Sequence, residues 1–310
     1  MKTNYALQKL FEGVVPERVA EIDGLINKYS VQFQQVCDRD GFHMVGGALG
    51  EVGLIQYTYR SMQQLWLFGY AGLLSMHCYT TFIVLLKSSG IKLDMEKVKK
   101  IYGQEKAEKK FAVLLDKIRE INKAASEGDY KWPEDIPTPE QGRQADAEQA
   151  LVFDLSCMAA AYVFLHELRH AMFSTDGDVP PNPIDEEIAC DAFAKEMMTS
   201  HIAEYSAQTG YPADAVKMKR FMGIALASAF LLFATERNRL KGSETHPAIY
   251  ERWLSTIGDL ELSTNDFLWL YFASLTLAIL QNIGVPISNK KVESFRTLCL
   301  GLIEDLKKSI

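Results

Sequence analysis

Two histidines and a glutamate in the string His166-Glu167-Leu168-Arg169-His170 are the residues best suited to chemistry. On a helix successive residues turn by roughly 100°, so His166 and His170 lie roughly 40° apart on one face, one turn separated. Two imidazole nitrogens are then in reach of a single tetrahedral ion. Glu167 points roughly 100° away from His166, toward the ion's open side, where it can take a proton from a water molecule. The string sits inside LVFDLSCMAAAYVFLHELRHAMF, a helix-compatible run. The plainer alternative is a buried helix that happens to carry polar residues. Among Phe164, Leu165, Leu168 and Phe173, however, unpartnered imidazoles and a carboxylate are costly to bury, and a metal ion supplies the partner.

A third ligand is expected downstream. Glu187 lies seventeen residues after His170, in DEEIACDAFAKEMM, and Asp191 follows four residues later on the same helical face. That pair offers a metal-binding carboxylate and a second acid that can hydrogen-bond the far N–H of a ligand imidazole. Glu186 is the rival ligand, but the residue four beyond it is Cys190, which reads as packing. The same acids would also suit the negative first turn of an ordinary helix. Further on, His246 precedes Pro247 at a helix start, and Arg252 follows six residues later. Together they could present a donor to a developing oxyanion, or simply begin a helix. His43, His77 and His201 have no ligand partner nearby in sequence and read as structural or exposed.

Elements able to position these residues are mostly helical. Periodicity runs through about 145–172, is broken by a loop at 175–183, and resumes near Asp185. Further helical runs cover about 214–236, 246–258, 264–284 and 290–308. Ahead of them, Pro16 starts a helix with Val19, Ile22, Leu25 and Ile26 on one face, running into SVQFQQVCD. The glycine-rich stretch 41–53 reads as a loop or hairpin with room for short strands, and GLIQYTY after it as a strand. Residues 94–123 alternate charges around an apolar stripe, as expected of one or two amphipathic helices. The proline-bearing stretch 128–142 is a surface loop and the best internal boundary, or else a lid or substrate-binding edge. The expected fold is mainly α-helical, with a zincin-like catalytic domain over 56–310 built on the HExxH and ExxxD helices. A smaller segment at 1–55 holds what little β structure there is.

Composition narrows the function classes. The 310 residues are 48% hydrophobic and 24% charged, as in a globular protein rather than a disordered chain or a fibre. A net charge of −7 argues against a nucleic-acid binder. Five scattered cysteines without a CxxC pair read as reduced thiols in the cytoplasm. The N-terminal residues hold no apolar run of signal-peptide length. Residues 65–86 carry no formal charge and are long enough to cross a bilayer. A buried core helix is the favoured reading, and a membrane span the alternative. Oligomeric state leaves no mark on the sequence.

With HELRH at 166–170, EIACD at 187–191 and THPAIYER at 245–252, the chain resembles the Lit family of phage-exclusion peptidases, which are of the gluzincin type. A Trp-Pro loop (Trp132, Pro133, Pro137) ahead of the active helix adds to the likeness, which covers about residues 50–260. Cys190 departs from it, standing where alanine is usual. The resemblance implies zinc (Zn2+) held by His166, His170 and Glu187, with Glu167 as general base and acid and Asp191 orienting a ligand histidine. His246 and Arg252 match a His-Pro…Arg pattern that faces substrate in CAAX-processing-type zinc peptidases. The implied activity is endopeptidase cleavage of a protein, elongation factor Tu being the substrate associated with the family. Two other classes stay open at this point: a metal-stabilised binding module without catalysis, and an integral membrane peptidase.

Overall fold

The computed structural model describes residues 3–37, 41–46, 53–101, 103–124, 129–258 and 260–310. Helices α1 (Thr3–Val14) and α2 (Val19–Lys28) lead into strands β1 (Gln32–Val36), β2 (Phe42–Gly46) and β3 (Gly53–Thr58). Then come α3 (Tyr59–Ser89), β4 (Lys92–Leu93), α4 (Met95–Val98), α5 (Gln104–Lys123) and the long α6 (Ala147–Asp176). After these follow α7 (Pro183–Thr199), α8 (Ile202–Thr209), α9 (Ala213–Ala234), α10 (Ile249–Ile257), α11 (Phe267–Asn282), β5 (Lys290–Lys291) and α12 (Phe295–Ser309). The fold is mainly α, as the hydrophobic periodicity predicts.

The principal helices start and stop where local chemistry dictates. Thr58 caps α3 by accepting the Ser61 N–H, and Gly90 ends it in the left-handed region at φ 68°. Asp146 accepts the Gln149 N–H to start α6, and Gly177 ends it at φ 70°. Asn182 caps α7, whose first residue is Pro183.

Two departures from the expected elements have clear causes. The helix begun at Pro16 stops at Lys28; Ser30 takes φ 50°, and Gln32–Val36 become a strand. That strand pairs in parallel with β3, which pairs antiparallel with β2, so the order is β1-β3-β2. This long-range pairing overrides a local helical pattern. Helix α10 starts at Ile249 rather than at His246, because Pro247 disfavours helical backbone at the residue before it. The short α8 and the β4–β5 pair carried no clear signal in the sequence. Of the glycine-rich stretch, residues 47–52 lie outside the described residues.

Packing fixes the site from both sides. The sheet rests on α6 through Phe164, whose ring meets Phe33, Phe42 and Tyr57 edge-on at 5.8, 5.4 and 5.3 Å. On another side α9 lies so close to α6 that a Cβ on Gly223 would sit 2.3 Å from the Met158 Cβ. Residues 65–86 fall within α3, which packs on α5, α6 and α11 and buries much of its apolar surface, although Leu85 stays 60% exposed. By length and composition alone, α3 and α6 could each cross a membrane. The proline-bearing loop straps α3, with Trp66 Nε1 donating to the Pro137 carbonyl at 2.8 Å.

Substituting Gly223→Ala overpacks the α6–α9 contact and should lower stability by about 1–3 kcal/mol. Denaturant unfolding of the two proteins checks this; equal midpoints would mean the helices separate freely.

Candidate active site

Four elements converge at the C-terminal half of α6. That helix supplies His166, Glu167 and His170, and α7 supplies Glu186, Glu187 and Asp191. Arg252 comes from α10, and His246 from the segment ahead of it. The edge strand β2 brings the Met44 backbone. Together they line a cavity of about 550 Å³, walled on its apolar side by α9 residues including Ala227, Phe230 and Leu231.

The imidazoles face one another, with His166 Nε2 and His170 Nε2 3.1 Å apart. One Glu187 oxygen is 3.5 Å from His166 Nε2 and the other 3.4 Å from His170 Nε2. Each histidine's far nitrogen is held by an acid. His166 Nδ1 lies 2.9 Å from Asp191 Oδ1, and His170 Nδ1 lies 2.7 Å from Glu186 Oε1. With both Nδ1 atoms donating, both Nε2 atoms face the same space as the Glu187 carboxylate, donating to it when protonated and offering lone pairs once a cation displaces the proton. Three acceptors converging there call for positive charge. Cys190 is also near: its sulfur and one nitrogen of each histidine lie within 4.8 Å of one another, so His166, His170 and Cys190 form a cluster able to hold a metal ion.

Electrostatics sharpen the picture. Burial raises the carboxylate pKa of Glu187, but hydrogen bonds to His166 and His170 outweigh it and hold the group well below the usual range. Asp191 is likewise held low despite burial, chiefly by the Arg252 charge. Burial alone would lower His166, yet its bonds to Asp191 and Glu187 raise it to about 9. The Cys190 thiol is pushed up by burial and by the surrounding acids, so it stays protonated. Glu167 is raised by burial, against the pull of both histidines and the Met44 N–H that donates to its Oε2 at 2.8 Å.

Of the residues singled out in the sequence, His166, Glu167, His170, Glu187, Asp191, His246 and Arg252 all border one cavity. Arg252, expected to join His246 in presenting a donor to an oxyanion, turns instead to the acids. Its Nε and Nη2 donate to Asp191 at 2.7 and 2.6 Å, and Nη1 lies 3.4 Å from Glu187. The His246 side chain is 61% exposed, with Nε2 3.7 Å from Glu187 and Nδ1 2.8 Å from the Thr245 hydroxyl. His43 borders the cavity too, whereas His77 and His201 sit beside Glu148 and Glu204 on the surface. Residues 129–142 are not among the residues that line it. Sequence reading missed Tyr162, which donates to Asp191 at 3.0 Å, and the pairing of Glu186 with His170. Tyr162 sits one helical turn before His166, the single hint that it shares that face.

Comparison with known proteins places these residues in context. The family profile described as Peptidase U49 matches residues 55–272, more than half of the chain. The chain is also similar to the cell death peptidase of Escherichia coli (strain K12), at 24% identity over 187 residues. That alignment spans 58% of this chain and 58% of the relative's length. No solved structure matches the chain.

Arg252→Ala would strand two buried carboxylates and should cost about 3–5 kcal/mol of stability, with Arg252→Lys recovering only part because the bidentate fork is lost. Since Asp191 and Glu187 are depressed, the stability they confer is present above the ordinary carboxylate range of about 4. It is lost as pH falls through their lower folded values. Chemical unfolding followed from neutral to acid pH checks both statements; an Arg252→Ala protein as stable as the parent would contradict them.

Proposed function

The chain belongs to the Peptidase U49 family, and from that premise we propose that it is a zinc-dependent endopeptidase acting on a protein substrate. The observation that carries the proposal is the triangle of His166 Nε2, His170 Nε2 and the Glu187 oxygens, with separations of 3.1, 3.4 and 3.5 Å. Donors about 2.0 Å from a tetrahedral zinc ion stand about 3.3 Å from one another, so these atoms fit the ion. Glu187 is taken as the third ligand because its oxygens stand 3.4 and 3.5 Å from the two facing Nε2 atoms, with Cys190, within 4.8 Å of the imidazoles, as the rival. When bound, zinc would supply Lewis acidity toward a peptide carbonyl and acidify water beside it.

The remaining steps belong to the chain's own side chains. Asp191 and Glu186 hold the proton on each Nδ1, which leaves each Nε2 free to bind the metal. Glu167, with Oε2 fixed by the Met44 N–H, has Oε1 free to accept the proton of the attacking water and return it to the leaving amine. A carboxylate raised by burial suits both halves of that task. His246 reaches the edge of the site on an exposed side chain and can donate an N–H to the developing oxyanion. Arg252 acts behind the ligands, fixing Asp191. The resemblance to the phage-exclusion peptidases makes elongation factor Tu the first substrate to test.

Glu167→Gln should retain zinc but lose about 10²- to 10⁴-fold in cleavage rate. Glu187→Ala should lose zinc, as read by metal analysis after dialysis, while Cys190→Ala should keep it. New protein termini, mapped by mass spectrometry after incubation with bacterial lysate with and without a chelator, test the activity itself. A pattern identical in both samples and in the Glu167→Gln control would refute the peptidase reading.

A further inference from the structure

A second cavity, of about 800 Å³, opens elsewhere on the same pair of helices. It is formed by α1, the N-terminal half of α6, the first turns of α9 and the α8–α9 connection, and it shares no lining residue with the candidate active site. The tight contact of Met158 with Gly223 lies between the two cavities along α6 and α9.

Its charges do not balance. Arg220 is matched by buried Glu17, and Lys9 by Glu12. Arg143 and Lys219, however, share a single acid. Asp154 accepts from Arg143 Nε at 2.8 Å, from Arg143 Nη2 at 3.1 Å and from Lys219 Nζ at 2.6 Å. One positive charge is therefore left over, on a molecule whose net charge is −7. Both cations reach solvent, at 55% and 36% exposure. An arginine fork and a lysine ammonium are each able to bind a phosphate.

The same cavity carries an aromatic platform. Tyr205 and Tyr211 are stacked, with ring centres 6.4 Å apart and planes at 17°, and Arg220 lies 5.1 Å from the Tyr205 ring. Tyr211 is 61% exposed, so its ring offers an open surface on which a flat group can stack. Apolar side chains such as Phe153 and Val216 complete the wall.

We propose that this cavity binds a mononucleotide, with its phosphate between Arg143 and Lys219 and its base stacked on Tyr211. The volume falls in the range of about 300–1,000 Å³ typical of small-ligand sites. Asp154 stands where the phosphate would bind and competes with it for both cations.

Calorimetric titration of the full chain with AMP, adenosine and ribose 5-phosphate tests the proposal without reading peptide cleavage, so the outcome is separate from that of the peptidase reading. AMP should bind more tightly than either half-ligand. Tyr211→Ala, at an exposed position, should weaken AMP about tenfold and leave ribose 5-phosphate unchanged. Lys219→Ala should weaken AMP and ribose 5-phosphate but not adenosine. Asp154→Asn should tighten AMP, a direction that a folding defect does not produce. Absence of AMP binding at about 1 mM, capture of an acidic peptide but not AMP, or weaker binding by Asp154→Asn would each overturn it.

Discussion

The Asp191 carboxylate is the joint on which three helices close. Its two oxygens accept from His166 Nδ1 and Tyr162 on α6 and twice from Arg252 on α10, while Asp191 itself belongs to α7. Three of these donors meet Oδ1 and one meets Oδ2. A buried ion pair of this kind adds little net stability compared with an apolar contact, but removing one partner leaves a charge with nowhere to go. Its value lies in geometry: α6, α7 and α10 are held in one arrangement that satisfies all four donors at once. The facing imidazoles inherit their orientation from that requirement.

Around this joint the apolar packing has a plain role. The long apolar helices α3 and α6 look like spans by composition, yet α6 buries most of its apolar length against the sheet, α3, α7 and α9. Close approach is achieved with small residues; a Cβ on Gly69 would meet the Ser156 hydroxyl at 2.3 Å. Away from the active-site cavity, Arg18 donates to Ser200 and Arg220 to Glu17, clamping the N-terminal segment against the end of α7 and the N-terminal half of α9. The frame is held at both ends.

Much of the candidate site was legible because helical spacing turns sequence distance into spatial distance. His166 and His170, or Glu187 and Asp191, share a face by periodicity alone. What spacing could not convey is which partner each side chain chooses across helices. Arg252 was expected to join His246 as an oxyanion donor, but a guanidinium near two buried carboxylates pairs with them instead. Glu186 weighed only as a rival ligand, since nothing local to α7 shows that His170 Nδ1 lies above it. The strand Gln32–Val36 was hidden for the same reason: its parallel partner is β3, whose pairing register no local pattern records.

The grip on Glu167 comes from a peptide N–H of Met44 rather than from a side chain. Every amino acid except proline brings that same donor, so the identity of residue 44 is decoupled from the hold on Glu167. The strand bordering the cavity is therefore free to diversify its side chains over evolutionary time, altering what the cleft accepts while the carboxylate beneath it keeps its tether.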